Sequence, residues 1–501
     1  MNNVKTFLKR HYPFFVLFVA VFVCVTLVSQ CSFLYRWNEW VDVHCYYTVA
    51  SFMKQGGVLY RDIFEQKGPY LYFIHLISIC IVPSGYGGMY IFELIYGWIF
   101  AFATYFTIRL FKRNRAIGLT GSLLSLLCLY LPLSFCYGDS VEEMMAPLFA
   151  LSLYWLLKSA MRKKEMKWWQ LCLSGLFCGL ALFSKFSLVA FYAGFAIVVF
   201  VSCCVDHKVH RGFLAALYFL IGLAVSSIPA LIYFGVNHAF GDFYQVYFYN
   251  NIFHYSSAKS SGLGEKLLGY LVAYGARFIY GYTYMPLILF GLIEAIVAKK
   301  IHKNRRFFAI LAPYASLNLL IVIGGVSYPY YGLPNAAFAF VGFLGIIDLL
   351  SKKESVKQYL KSHVKVGVAV SCVAFGVLSF VATPNMPKMF LKEGDIPVYQ
   401  MRDIIKKEEK PTLLNYGTLD AGLYYLCDIQ PTTKYFTGLN GDFAELKAEQ
   451  QRIIDEGLVT FVYFMDDNMP ENIDLHYQKV YEAPYKELWM SKMHYLYQLK
   501  K

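Results

Sequence analysis

Charge is scarce in this sequence. Only 16% of its 501 residues are Asp, Glu, Lys or Arg, against 57% hydrophobic. That balance excludes an ordinary soluble globular chain of this size and suits a polytopic membrane protein. Paired cysteine spacing is missing too. The 12 cysteines stand singly or as the neighbours Cys203 and Cys204, most of them inside apolar runs. No CxxC ladder occurs, so they read as small buried apolar residues. His44, His75, His238 and His254 show no metal-ligand spacing and read as interfacial or packing residues. GxGxxG, P-loop and GxSxG motifs are all absent. No internal repeat of about 20–50 residues is visible.

What charge there is lies unevenly. Residues 384–501 hold 14 Lys+Arg and 18 Asp+Glu, a net of −4, which leaves 32 and 15 for residues 1–383, a net of +17. A bilayer core of about 30 Å needs roughly 20 apolar residues as helix. Eleven runs approach that measure: 12–34, 89–111, 116–137, 144–157, 168–184, 186–205, 213–236, 280–298, 307–327, 332–350 and 364–383. The N-terminus and the loops 109–115, 158–167, 206–211, 299–306 and 352–365 carry 24 Lys+Arg, and the opposite loops carry eight. The positive-inside rule then places the N-terminus in the cytoplasm and, after an odd number of spans, the C-terminus outside. Lys5, Lys9 and Arg10 precede an apolar run too long for a signal core, so that run is expected to stay as the first span. The basic groups are split among separate loops and form no single face, so nucleic acid is not an expected partner.

The fold class expected is a polytopic α-helical membrane protein of about 11 spans, residues 1–383, followed by a small extracytoplasmic α/β domain, residues 384–501. In that domain helical periodicity runs through 396–409 and 443–456, and strand-like runs occur at Thr412–Tyr416, Thr460–Met465 and Lys479–Glu482. Segment 69–82 is apolar but only 14 residues long. As helix it reaches about 21 Å, which suits an interfacial or re-entrant helix on the outer leaflet. Lys185 divides a 37-residue apolar run, 168–204. That run is too long for one span, so a turn near Lys185 is expected at the outer surface. Residues 237–279, rich in Tyr, Phe and Asn with a Ser/Gly stretch, read as an outer loop.

The first outer loop, 36–88, gathers Asp42, Arg61, Asp62, Glu65 and Lys67. On the same side lie Asp139, Glu142 and Glu143 in the string YGDSVEEMMAP, and Lys185. Cations at an outer bilayer surface suit a lipid-linked phosphate, and a carboxylate there suits proton removal from an attacking hydroxyl. Bland readings stand beside these. Asp42 suits a helix start near Cys45, and Lys67 suits plain contact with lipid phosphates. Asp139 suits a loop, and Lys185 suits the turn itself. Glu142 and Glu143 point about 100° apart on a helix, so at most one reaches a shared site. Glu93, just inside a span, has structural and functional readings of equal weight.

The string DVHCYYTVASFMKQGGVLYRDIFEQKGPYLYF at 42–73, with YGDSVEE and the lysine of FSKF, resembles the GT-C glycosyltransferases that use polyprenyl-phosphate sugars. It is most similar to the protein O-mannosyltransferase and aminoarabinose transferase superfamily (glycosyltransferase family 39-like) in the form common among Gram-positive bacteria. Shared features are an acid after the first span, a Gly-Gly-x-x-Tyr-x-Asp turn and a Lys-x-Pro start to a short helix. The resemblance implies an inverting sugar transfer from a lipid-phosphate donor, without a cofactor, to a glycan, lipid or protein outside the plasma membrane. It implies Asp42 as base or acceptor-positioning group, Glu142 or Glu143 as a second carboxylate, and Lys67 with Arg61 and Lys185 toward the donor phosphate. Asp62, Glu65 and Asp139 are left to shape the loops or meet the acceptor. The chain departs from the pattern in having Val43 after Asp42 instead of an acid, and neither His nor a basic residue in SYPYYGLP. No Asp-x-Asp metal motif appears, in keeping with a lipid donor. A lipid-linked glycan transporter and a non-catalytic envelope-assembly protein are the alternatives. Mid-membrane charges and repeated halves would mark the transporter.

Overall fold

The computed structural model describes residues 2–254, 263–298, 305–321, 328–438, 443–466, 468–486 and 491–501. Among these, six helices are long and apolar enough to cross a membrane: His11–Val28, Gly87–Phe111, Val141–Arg162, Phe186–Val205, Val209–Val236 and Val364–Val381. The number rises to eight if two bent pairs each make one span, Leu268–Tyr280 with Met285–Val297 and Pro329–Phe338 with Phe340–Leu350. The chain is thus a multi-pass membrane protein.

Helix covers most of each expected run, but length does not establish eleven spans. Runs 116–137, 168–184 and 307–327 hold helices of 16, 15 and 16 residues, Arg115–Tyr130, Trp168–Leu182 and Arg305–Leu320. The first stops just before Pro132, which disfavours helix in the residue ahead of it. The turn expected near Lys185 is present, with Lys185 extended between Leu182 and the 3-10 turn Phe186–Val189. The short helix expected at 69–82 is Pro69–Ile81, with proline at its first position. The reading of 237–279 as loop is corrected. It holds the π-helical turn Tyr244–Asn250 and the helix Leu263–Tyr280. Its aromatic density hid helical periodicity, and its Ser/Gly stretch lies largely outside the described residues.

The chain divides into two units. The first comprises residues 1–32, 90–227 and 260–386. Its helices approach closely at glycines. A Cβ at Gly175 would stand 1.9 Å from the Phe219 carbonyl oxygen, and one at Gly222 1.8 Å from that of Cys172. Small residues are what permit such helix packing in a bilayer. Buried Asn385 ties the ends of two elements, donating to the carbonyls of Val28 at 2.8 Å and Cys136 at 3.0 Å.

The second unit comprises residues 33–89, 228–259 and 387–501. It carries a four-stranded sheet of order β1-β2-β4-β3, with β1 Leu413–Asn415, β2 Phe461–Met465, β3 Tyr477–Lys486 and β4 Ser491–Leu499. β1 and β2 are parallel, and β3 and β4 form an antiparallel hairpin. The crossover from β1 to β2 includes helices Leu423–Cys427 and Ala444–Asp455. Leu414, Ile453, Ile454, Val462 and Phe464 form the core beneath it. Each strand and helix expected from the sequence is present within a few residues, and β4 is additional.

Within this unit residues 36–88 pack on the sheet domain. Buried Glu39 pairs with Lys388 and accepts from the Tyr485 hydroxyl. The backbone N–H of Phe64 donates to the Lys434 carbonyl at 2.9 Å. Thr48 donates to buried Asp420 at 2.6 Å.

Candidate active site

Among the residues expected at the site, two buried acid–base pairs form, one in each unit. In the second unit, Asp42 lies in the first turn of helix Val41–Lys54. A negative charge is favoured there by the unsatisfied N–H groups of the helix start. Its Oδ2 is 3.5 Å from the Lys67 Nζ and accepts from the Tyr46 hydroxyl at 3.3 Å. The Lys67 ammonium also faces the Tyr46 ring, 5.7 Å from its centre. The acid is 7% exposed and the lysine 15%. The cation is therefore sheltered and still reachable.

The loop between Gly56 and Lys67 is shaped to aim that lysine. Tyr60 adopts a left-handed backbone with φ 68°, unusual for a bulky residue. Its ring stacks on Phe234, and its hydroxyl donates to the Lys67 carbonyl at 2.5 Å. Glu65 is buried and accepts from the Lys67 backbone N–H at 3.0 Å. Burial pushes the Glu65 carboxyl above its ordinary range, against the pull of Lys67. Arg61 and Asp62 are occupied differently. Arg61 donates to Asp62 at 2.9 Å and to the Asn237 carbonyl at 3.0 Å. Asp62 also accepts from the Val58 N–H at 2.9 Å, closing the turn. The Arg61 guanidinium holds the Asp62 carboxyl below the usual range. So the loop joins Asp42, Glu65 and Lys67 in one group and ties Arg61 to Asp62.

In the first unit, Glu142 accepts from Lys185 at 2.5 Å, and the Lys185 ammonium stands 3.5 Å from the centre of the Tyr331 ring. Tyr330 also faces it at 5.0 Å. Glu143 points elsewhere, as adjacent residues on a helix must. It shares the Asp139 backbone N–H with Glu93, at 3.1 Å and 2.9 Å. Glu93 also accepts from Ser29 at 2.6 Å. Gly138, at φ 98°, gives the room for this, since a Cβ there would meet Glu93 Oε1 at 2.5 Å. Asp139 and Glu143 thus belong with Glu93, and Glu142 with Lys185.

Arg277 is a cation that the sequence reading passed over. It is 3% exposed and donates to the Asn318 side chain at 2.5 Å. Among the described residues its Nε and Nη2 meet no hydrogen-bond acceptor. Asn318 in turn donates to Asn335 at 2.7 Å, inside the 3-10 helix Pro329–Phe338 that also supplies Tyr330 and Tyr331. A 3-10 run of 10 residues is long for that geometry. A lone arginine in the aromatic string GYLVAYGARFIYGY was the signal in the sequence. Among the described residues no group of three or more His, Cys, Asp or Glu is arranged to hold a metal ion.

Residues 66–233 match the family model described as dolichyl-phosphate-mannose-protein mannosyltransferase. That segment contains Lys67, Glu142 and Lys185, and Asp42 lies ahead of it. A search of curated proteins returns no sequence match. Two solved structures of ArnT from Cupriavidus metallidurans share the fold. The apo form aligns with a TM-score of 0.60 at 11% identity, over 96% of this chain and 97% of that one. The form bound to undecaprenyl phosphate aligns with a TM-score of 0.61 at 13% identity, over the same 96% and 97%. The chain therefore has the GT-C fold of ArnT, and its segment 66–233 carries the pattern of the dolichyl-phosphate-mannose-protein mannosyltransferase family.

Proposed function

We propose that this chain is a membrane glycosyltransferase that moves a sugar from a polyprenyl-phosphate donor to an extracytoplasmic hydroxyl, with inversion. The observation that carries the reading is the sheltered Asp42–Lys67 pair, a carboxylate and a cation 3.5 Å apart. The family pattern over 66–233 and the undecaprenyl-phosphate complex of ArnT support the donor class. Asp42 takes the proton of the acceptor hydroxyl as its oxygen attacks the anomeric carbon. The bond from that carbon to the donor phosphate oxygen breaks, and the leaving polyprenyl phosphate gains negative charge. Lys67 meets that charge, and a fixed cation aimed at developing charge lowers the barrier without reorganisation.

Glu65 orients Lys67 through its backbone N–H, and Arg61 with Asp62 shapes the turn that presents it. In the first unit Lys185 clamps Glu142 in place, and Arg277 is a further place where an anion is stabilised. Residues 384–501 face outside the cell and the N-terminus faces the cytoplasm. The acceptor lies among envelope glycans, lipids and proteins.

The test is sugar transfer in membranes supplied with polyprenyl phosphates labelled in the sugar. Asp42→Asn is expected to lower turnover by roughly 10²–10⁴-fold, the range for a lost general base, at unchanged protein level. Equal turnover by wild type and variant would overturn the assignment.

A further inference from the structure

Three helices long enough to cross a membrane have one end at a common cavity of the first unit: Val141–Arg162, Phe186–Val205 and Val209–Val236. The cavity holds about 240 Å³. It lies at the far end of the helix that carries Glu142. Arg162 is 20 residues along from Glu142. At 1.5 Å per residue that is about 30 Å, the depth of a bilayer core. The cavity therefore opens at the bilayer face opposite the one where Glu142 meets Lys185.

Its lining grades from apolar to basic. Val199, Leu214 and Tyr218 are half-buried and leave apolar surface open to the cavity. Trp168 also lines it, 62% exposed at the start of helix Trp168–Leu182. Indole rings favour the headgroup level of a bilayer, so Trp168 marks that depth. The basic segments 158–167 and 206–211, separate in the sequence, meet here with Arg305.

The two acids in the lining are already engaged. Asp206 accepts from two guanidinium nitrogens of Arg305, one of them at 2.8 Å. Glu165 accepts from Lys208 at 3.2 Å, with Arg211 at 3.9 Å. Lys163 and Lys164 are exposed and make no ion pair among the described residues. Their side chains are not needed to close the helix end either. The backbone N–H groups of both donate to the Ser159 carbonyl, and the Ser159 hydroxyl donates to the Lys164 carbonyl at 2.5 Å. Two uncommitted ammonium groups thus stand at the cavity mouth beside an apolar wall.

We infer that this cavity seats the headgroup of an anionic phospholipid. Its phosphate meets Lys163 and Lys164, and its chains run along Val199, Leu214 and Tyr218. Basic pockets between membrane helices suit such headgroups. The cavity is smaller than the roughly 300–1,000 Å³ that encloses a whole ligand, which fits a molecule that puts only its headgroup inside. A water-soluble phosphate would meet the cations and leave the apolar wall against water. A phospholipid covers both. The inference goes beyond the transferase reading and does not depend on it.

The experiment is native mass spectrometry of the full chain, titrated with phosphatidylglycerol, cardiolipin, phosphatidylcholine or inorganic phosphate. The two anionic lipids are expected to bind about tenfold or more tightly than phosphatidylcholine. The double variant K163A/K164A is expected to weaken phosphatidylglycerol roughly 10–30-fold, the worth of two basic groups near a membrane surface. Its melting temperature without added lipid should match the wild type, since both side chains are exposed. Lysines suit a helix C-terminus by the dipole alone, so a matched control is needed. Lys352 and Lys353 are exposed, follow the end of helix Phe340–Leu350 and lie outside the cavity. K352A/K353A is expected to leave phosphatidylglycerol binding unchanged. Equal weakening by the two double variants would reduce the site to the general positive charge of that face and overturn the inference. So would equal binding of phosphatidylcholine and phosphatidylglycerol. Displacement of the lipid by excess inorganic phosphate would overturn it in favour of a free-phosphate site.

Discussion

The pairs Glu142–Lys185 and Asp42–Lys67 each set a buried carboxylate against a lysine and are built to different tolerances. Glu142 and Lys185 meet at 2.5 Å, with the lysine pressed onto Tyr331. Asp42 and Lys67 stand 3.5 Å apart, and the acid is 7% exposed where Glu142 is 1%. A tight pair has exchanged its hydration for one partner and resists change. A slack pair leaves room beside its cation for the anion of a substrate. The contrast assigns holding to the first unit's pair and binding to the second unit's.

The largest effect tests the holding half of that contrast. Removing one member of a buried pair strands the other charge and costs about 3–5 kcal/mol. Glu142→Gln should therefore lower the melting temperature and the protein level sharply. The double variant Glu142→Gln with Lys185→Met should recover most of the loss, because no charge remains stranded. A stable Glu142→Gln protein with lost transfer would move this pair from holding to chemistry and erase the contrast.

The next effect tests the binding half. Lys67→Ala should cut donor-dependent transfer by roughly 10²–10³-fold, the range for a lost electrostatic stabiliser. Protein level should fall less than in Glu142→Gln, because Asp42 is less deeply buried than Glu142 and keeps its hydrogen bond from Tyr46. Equal losses of protein and transfer, read by immunoblot beside the transfer assay, would make this pair structural as well.

The contrast itself was beyond the sequence, although its members were not. Asp42, Lys67, Glu142 and Lys185 stand out because charge is rare among apolar runs. Their partners are set by helix phase and by loop paths. The choice of Glu142 over Glu143 depends on which of two adjacent side chains faces Lys185, and the sequence states only that they diverge. Arg61, expected toward the donor phosphate, pairs with Asp62 in the folded turn, a partner one residue away that spacing alone does not reveal. The helices were legible from hydrophobic runs, yet their lengths were not, since Pro132 and the bend of 106° between Tyr280 and Met285 cut runs that composition leaves whole. Helix Leu263–Tyr280 was missed because tyrosine and glycine dilute its apolar face.

The smallest effect concerns a buried carboxyl, Asp420, that no cation pairs with among the described residues. Asp420 is fully buried, and accepts from Thr48 at 2.6 Å and from the Gly422 N–H at 2.7 Å. Thr48 lies on the same helix as Asp42, so the two acids differ chiefly in having a lysine or lacking one. Burial pushes the Asp420 carboxyl from 3.8 up to about 6, against the two hydrogen bonds. The folded protein therefore binds this proton more tightly than the unfolded chain does. Its stabilising contribution is complete below about pH 4 and is lost as pH rises through 6. Between pH 5 and pH 7 the loss is about 1.4 kcal/mol, the worth of one unit. The melting temperature of the intact protein, followed by intrinsic fluorescence, should fall over that interval. Asp420→Asn cannot ionise and should flatten the dependence. If the slope survives in Asp420→Asn, another carboxyl carries it, and the absence of a lysine does not set this one apart.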